Sequence, residues 1–171
     1  SVQFIVEESL KSGLEKYGAK SASAVVMDPK TGAILALASF PNYDPLKYFN
    51  FPKDYYSNSI VGKQYEPGST FKVLVMAAAI NEDVLKPDTK CDICQGSISI
   101  GGFNIKTWDN KYRPNLTMTD VIIHSDNTGM VFAGKKLGLE KFYSYLTNYG
   151  FGNPTNIDLQ DETSPDLRPK K

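Results

Sequence analysis

With 171 residues, 41% of them hydrophobic, the chain is long enough to bury one sizeable core, and its composition is not that of a disordered, collagenous or disulfide-framework protein. Lysine plus arginine and aspartate plus glutamate number 19 each, so no net field recruits nucleic acid or an anionic membrane surface. No run of about 18 apolar residues occurs, and no basic stretch leads into an apolar one, so a soluble chain is expected. It opens without Met, directly in a helical pattern, and any anchor or export signal is therefore expected in a longer parent.

The first predicted element is an amphipathic helix. Val2, Ile5, Val6, Leu10, Leu14 and Tyr17 recur at three- and four-residue steps, and Gly18 follows as a stop. Two short apolar runs come next, Ala24 to Met27 and Ala33 to Ser39, separated by Asp28-Pro29-Lys30-Thr31-Gly32. Proline suits the second position of a type I turn and glycine supplies a positive φ, so these five residues predict a hairpin with Lys30 at its tip. Both runs are apolar on successive residues and expect cover on both faces, one of them from the first helix. From Phe40 to Glu66, Pro41, Pro45 and Pro52 lie among many Tyr, Phe and Asn residues, which predicts a long packed loop of the kind that rims a site.

In YEPGSTFKVLVMAAAI, Pro67-Gly68 breaks the chain, Ser69 can start a helix, and Val73 to Ile80 predict a helix buried on all sides. Ser69 and Lys72 stand one turn apart on one helix face, close enough for the amine to take the hydroxyl proton. The partial positive charge at a helix N-terminus favours an alkoxide and, with burial, disfavours the charged lysine. This matters because an ordinary lysine, with a pKa of about 10.4, is protonated at neutral pH and is no base. A chain with this many serines and lysines contains about one S-x-x-K by chance, so the setting carries the information. The structural alternative is a helix-capping serine with a lysine reaching to solvent.

Cys91-Asp92-Ile93-Cys94 is the only cysteine pair and His124 the only histidine, too few ligands for a zinc site, and no thioredoxin-like context surrounds the pair. A structural role or a local disulfide is expected, with metal or redox chemistry as the alternatives. Residues 88–111 predict a hairpin between helices, with Trp108 near its end. After Pro114, Thr119 is expected to cap a short helix over Asp120 to His124, which breaks at Ser125-Asp126-Asn127 before Thr128 to Leu137 resumes a helical pattern. Ser and Asn side chains compete with helical backbone bonds, so such a break displays them, although it also reads as a simple capping turn. Leu139, Phe142, Leu146 and Tyr149 predict a last amphipathic helix ending at Gly150, and the tail over 165–171 is polar and expected to be loose.

Taken in order, VVMDPKTGAILALASFPNYDP, EPGSTFK, SDN and GFGNPTNIDL resemble the transpeptidase domain of penicillin-binding proteins, most closely the monofunctional class B proteins, over nearly the whole chain. The resemblance implies an α/β (α+β) fold of the penicillin-binding transpeptidase and serine β-lactamase type, an antiparallel sheet flanked by helices plus a helical subdomain. On that reading 1–62 is helix, hairpin and loop, 63–150 the S-x-x-K helix and helical subdomain, and 151–171 a linker toward further strands. It implies Ser69 as the acylated nucleophile, Lys72 as its general base, Ser125 as a proton relay toward the leaving group and Asn127 as a hydrogen-bond partner of the substrate backbone, with no cofactor and no metal. The implied substrate is a peptidoglycan stem peptide ending in D-alanyl-D-alanine, which β-lactams imitate. The implied setting is extracytoplasmic, with the parent held by a membrane anchor outside this chain.

The family's catalytic K-[ST]-G follows the SxN motif, whereas Lys30-Thr31-Gly32 precedes Ser69 and no K-[ST]-G occurs after Asn127. The expectation is therefore a front portion with an incomplete sheet, an apolar edge open to pairing with another chain, and little activity in isolation. Asn156 stands where the family often has Gly. Two other readings compete. A class A serine β-lactamase needs a positioned Glu, and Glu140 and Glu162 lack that family's loop context. A non-catalytic binding or scaffold domain of the same fold would retain Ser69 and Lys72 only as a cap and a core neighbour.

Overall fold

The computed structural model describes residues 1–164 and 166–167. The chain separates into two units, one formed by Ser1–Tyr65 with Pro154–Ser164 and one built on Glu66–Asn153. The tail expected to be loose lies outside the described residues apart from Asp166 and Leu167.

The first unit opens with helix α1, Val2–Tyr17, whose ends follow the local chemistry. Ser1 accepts from the Phe4 N–H, and Gly18, at φ 59°, donates its N–H to the Leu14 carbonyl. Strands β1 (Ala22–Met27) and β2 (Ile34–Phe40) pair antiparallel, with Val25 opposite Leu37. Their connection is a closed turn. The Asp28 carboxylate accepts from the Lys30 N–H at 2.9 Å and from the Thr31 hydroxyl at 2.8 Å, and Gly32 takes φ 75°. The Lys-Thr-Gly here is turn chemistry, with Lys30 exposed at the tip.

One face of the hairpin, carrying Ala24, Val26, Ala36 and Ala38, is buried or half-buried. The other differs from the expectation of cover on both faces: Val25 is 43%, Met27 51% and Ile34 40% exposed, so this face is only partly covered among the described residues. The outer edge of β2 is not bare, however. Gln3 of α1 accepts from the Leu37 N–H at 2.8 Å and donates to its carbonyl at 3.1 Å, so a side-chain amide occupies the place of a neighbouring strand. The predicted loop after Phe40 is packed and contains short helical turns over Pro45–Asn50 and Lys53–Tyr55 and the one-turn helix α2, Ser59–Gly62. Tyr56 donates to the Tyr48 carbonyl, its ring edge-on to Tyr43. Residues 154–164 rejoin this unit, Thr163 N–H donating to the Val61 carbonyl at 2.8 Å.

The second unit contains a 3₁₀ turn over Gly68–Phe71 that runs into α3 (Lys72–Asn81), a small hairpin of β3 (Ile98–Ile100) and β4 (Phe103–Ile105), then α4 (Met118–Ile123), α5 (Asn127–Leu137) and α6 (Leu139–Asn148). Its core gathers Met76, Ala79, Leu85, Met118, Val121, Phe132 and Leu137, and each large apolar side chain buried this fully contributes about 2 kcal/mol. Helix α3 is not buried on all sides: Met76, Ala78 and Ala79 face the core while Val73 is 58% exposed.

Helix α4 begins earlier than the sequence suggests. Its cap is Thr117 rather than Thr119, because Thr117 and Asp120 form a reciprocal capping box in which each side chain accepts from the other residue's backbone N–H. The segment before α4 is held by a short ladder, with Cys91 N–H donating to the Leu116 carbonyl at 2.7 Å and Met118 N–H to the Thr89 carbonyl at 3.0 Å. Cys91 and Cys94 form a disulfide beneath this ladder, both sulfur-bearing residues buried in the core.

Candidate active site

Ser69, Lys72, Ser125 and Asn127 come together within the second unit although 53 residues separate Lys72 from Ser125. Gly68 makes the approach possible: at φ 57°, next to Pro67, it turns the chain so that Ser69 enters the 3₁₀ turn that leads into α3. The Thr70 hydroxyl closes the same turn by donating to the Pro67 carbonyl at 2.7 Å. Ser69 thus sits in a tightened turn immediately before the α-helix rather than at an ordinary cap, and Lys72 is the first α-helical residue.

The opposite wall is the break between α4 and α5. Ser125 occupies the left-handed region at φ 51°, a conformation that costs a non-glycine residue about 1–2 kcal/mol. Its surroundings hold it there: Ser125 N–H donates to the Ile122 carbonyl at 3.1 Å and Asp126 N–H to the Val121 carbonyl at 2.9 Å. The strain has a visible result, since both the carbonyl and the hydroxyl of Ser125 point at one atom. Lys72 Nζ lies 2.6 Å from Ser125 O and 3.0 Å from Ser125 Oγ. Its third partner, Asn127 Oδ1, is at 2.6 Å. The orientation of that amide is settled by its other end, because Asn127 Nδ2 donates to the Lys106 carbonyl at 2.8 Å, and a carbonyl accepts only from the nitrogen.

Ser69 connects to the amine through Ser125, whose hydroxyl lies 3.0 Å from Ser69 Oγ. The sequence reading placed Ser69 directly beside Lys72, and the structure inserts Ser125 between them. Burial holds the Lys72 ammonium below the usual lysine range, opposed by the negative charge of Asp126. The three partners also suit a neutral amine. A neutral amine has two N–H bonds and one lone pair; Ser125 O and Asn127 Oδ1 are acceptors only and take the two N–H bonds, leaving the lone pair for the Ser125 hydroxyl. In the structure Lys72 donates to the Ser125 hydroxyl and that hydroxyl to Ser69 Oγ; with a neutral amine both bonds reverse, and a proton can pass from Ser69 Oγ through Ser125 Oγ to Lys72 Nζ.

Two residues at the site have no role in the sequence reading, although Asp126 is named there as part of the Ser125-Asp126-Asn127 break. Asp126 is 1% exposed, caps α5 through the Gly129 N–H at 2.8 Å and accepts from the Thr128 hydroxyl at 2.7 Å. An Asp directly before a helical run is a recognisable capping signal, so this one was available in the sequence. Lys106 takes part through its main-chain carbonyl, which no residue pattern announces. Nearby, Trp108, 74% exposed, donates its indole N–H to the carbonyl of His124 at 3.1 Å. Among the described residues no group of His, Cys, Asp and Glu side chains is arranged to hold a metal, and no helix is long and apolar enough to cross a membrane.

Comparisons with known proteins bear on the family and the fold. Residues 22–171 match the model of the penicillin binding protein transpeptidase domain. Stage V sporulation protein D of Bacillus subtilis is 39% identical over 171 residues, covering 98% of this chain and 26% of that protein. A probable peptidoglycan D,D-transpeptidase PbpC of Pseudomonas aeruginosa is 34% identical over 161 residues, covering 94% of this chain and 28% of the relative. Among solved structures, penicillin binding protein 3 of Mycobacterium tuberculosis superposes with a TM-score of 0.90 at 30% identity, over 98% of this chain and 38% of the other. A peptidoglycan glycosyltransferase of Burkholderia ambifaria superposes at 0.84 with 27% identity, over 98% and 48%. The chain spans about a quarter of the length of the curated relatives it matches. The serine and lysine at the head of α3, the Ser-Asp-Asn turn facing them, and a family match over 150 of 171 residues (22 to 171 inclusive) make this chain a member of the penicillin-binding protein transpeptidase domain family.

Proposed function

We propose that this chain supplies the nucleophile and proton-handling half of a serine-type peptidoglycan D,D-transpeptidase. The observation that carries the reading is the continuous hydrogen-bond path from Ser69 Oγ through Ser125 Oγ to Lys72 Nζ, with burial disfavouring the ammonium. Ser69 Oγ attacks the carbonyl carbon of the penultimate D-alanine of a stem peptide, and its proton passes through Ser125 to Lys72. The same path run backwards delivers the proton to the nitrogen of the departing D-alanine, so the peptide bond breaks and an ester to Ser69 remains. An amine from a second stem then attacks the ester, returning the proton to Ser69 and forming the cross-link. Asn127 is held between Lys72 and the Lys106 carbonyl, and the family resemblance supports its role as a hydrogen-bond partner of the substrate backbone.

A β-lactam carbonyl follows the first half of this sequence and stops at the ester. The relatives' names support the cell-wall reading, and an extracytoplasmic location with a membrane anchor in the full-length protein is proposed on the same ground. Because no K-[ST]-G follows Asn127 in these residues, one oxyanion donor and the carboxylate-binding side chains are lacking here, and one such donor is worth about a hundredfold to a thousandfold in rate. Acylation of this chain alone is therefore slow.

The test is intact-mass analysis after prolonged incubation with benzylpenicillin. The expected result is a slowly formed single adduct, absent from Ser69→Ala, that forms faster in a chain extended to the length of the relatives. If neither chain forms the adduct, the acylation reading fails and a non-catalytic role replaces it.

A further inference from the structure

Asp126 has a feature that its capping duty does not explain. As the cap of α5 it uses one oxygen, Oδ1, which accepts from the Gly129 N–H and the Thr128 hydroxyl. The second oxygen, Oδ2, is buried with no hydrogen-bond partner. Asn or Ser caps a helix as well as Asp does and brings no charge to bury, while a buried carboxylate oxygen without a partner is unfavourable unless an opposite charge compensates it. The compensating charge is within reach of the same turn. Asp126 lies between Ser125 and Asn127, which together provide all three partners of Lys72 Nζ, and its charge acts on Lys72.

We propose that Asp126 is the counter-ion of Lys72: a positioning residue whose buried carboxylate, held by the α5 cap, stabilises the ammonium formed when Lys72 takes the proton of Ser69. The inference rests on the proposed function for its chemical meaning, while its geometric support is the buried, unpartnered Oδ2 of Asp126 and the position of Asp126 between the two residues that hold Lys72. Burial by itself makes Lys72 a weak proton acceptor, since a desolvated ammonium is disfavoured. A carboxylate offset from the amine, not hydrogen-bonded to it, favours the charged state without occupying the lone pair that must face Ser125. The cap ties this charge to the turn, so the groups that hold Lys72 and the charge that acts on it move together.

Among the described residues of α3 to α6 and the turn between α4 and α5, Asp126 is the charge that acts on Lys72. Helix α3 carries none besides Lys72. In the turn and on α4, His124 and Asp120 are the remaining ionisable groups, and Asp120 is engaged in the capping box with Thr117. On α5 the charges are Lys135 and Lys136, in its last turn. On α6, Lys141 and Tyr145 engage Glu82, past the far end of α3, and Glu140, Tyr143 and Tyr149 complete the ionisable groups of that helix and its cap. Lys106 meets the site through its main-chain carbonyl.

The experiment is a ¹³C NMR pH titration of the lysine Cε signals in this chain, with Lys72 identified by its loss in Lys72→Met. Asp126→Asn keeps the shape and the capping oxygen and deletes the charge; Asp126→Ser is a second uncharged cap in case the first variant folds poorly. The expected result is a Lys72 midpoint shifted to lower pH in either folded variant relative to the parent chain, with the other lysines unmoved. An unchanged Lys72 midpoint, or an upward shift, overturns the proposal and leaves Asp126 as a cap only. The titration reads Lys72 whether or not Ser69 is acylated, so a failure here is separate from a failure of benzylpenicillin labelling.

Discussion

Gly129 is where a single methyl group is expected to damage both packing and site. It lies in the first turn of α5 against α4, and a Cβ built there would stand 2.2 Å and 2.7 Å from the two γ carbons of Val121 and 3.0 Å from its Cβ. Rotating Val121 does not relieve this, because its Cβ is part of the contact and the residue is fully buried. Restoring ordinary carbon contact, about 3.5–4 Å, requires the two helices to separate by more than about 1 Å. The Gly129 N–H that caps to Asp126 at 2.8 Å moves with the helix, and Asp126 is flanked by the two residues that hold Lys72.

Overpacking of this kind costs about 1–3 kcal/mol and occasionally more. Replacing Gly by Ala in a helix interior returns about 1 kcal/mol of propensity, and weakening the cap removes about 1 kcal/mol. Gly129→Ala is therefore expected to lose about 2 kcal/mol, read from urea unfolding followed by circular dichroism at 222 nm. Adding Val121→Ala deletes both offending γ carbons, so the double variant should be less destabilised than the sum of the single ones. If Gly129→Ala is as stable as the parent or more so, helix propensity outweighs the contact and the close-packing argument is wrong.

The strain at Ser125 makes a sharper comparison than deletion alone: Ser125→Gly and Ser125→Ala both remove the hydroxyl, but Gly accepts φ 51° freely, so it should be the more stable of the two by about 1 kcal/mol in thermal unfolding. Equal melting temperatures would show that the turn is not strained. Thr117→Ala should lower stability by about 1 kcal/mol through loss of the α4 cap. Its partner Asp120 is held below the usual carboxylate range, first by the Thr117 hydroxyl and then by the Thr117 N–H. A depressed carboxyl contributes stability above its ordinary pKa and loses it as pH falls through the folded value. The stability gap between the parent chain and Asp120→Asn should accordingly narrow in acid, and a gap constant down to pH about 2 would contradict the assignment. Reducing the Cys91–Cys94 disulfide opens a very short loop, for which chain entropy predicts a loss of about 2 kcal/mol. Unfolding midpoints with and without reductant measure it.

Much of the fold was legible because the signals are local. The three- and four-residue rhythm of α1 with its terminal Gly18, the Asp28 to Gly32 turn, and the break at Ser125 each depend on backbone preferences that act over a few residues. The cap of α4 was misplaced from Thr117 to Thr119 because two threonines compete within three positions. Only the reciprocal bond with Asp120 chooses between them. The short helical turns between Phe40 and Glu66 were hidden by prolines that also mark loops.

At the site, the amino-acid sequence alone determined which residue types are present and that Ser69 and Lys72 share a turn, since a spacing of three residues has one geometric meaning on a helix. It also carried the order of motifs that identifies the family. The tertiary structure decided that the lysine reaches Ser69 through Ser125, that a left-handed backbone aims two Ser125 atoms at one amine, and that Asp126 keeps a buried oxygen unpartnered in the same turn. Those facts come from residues more than 50 positions apart meeting across packed helices. Burial and charge depend on what folds against a group, and no spacing within a segment records that.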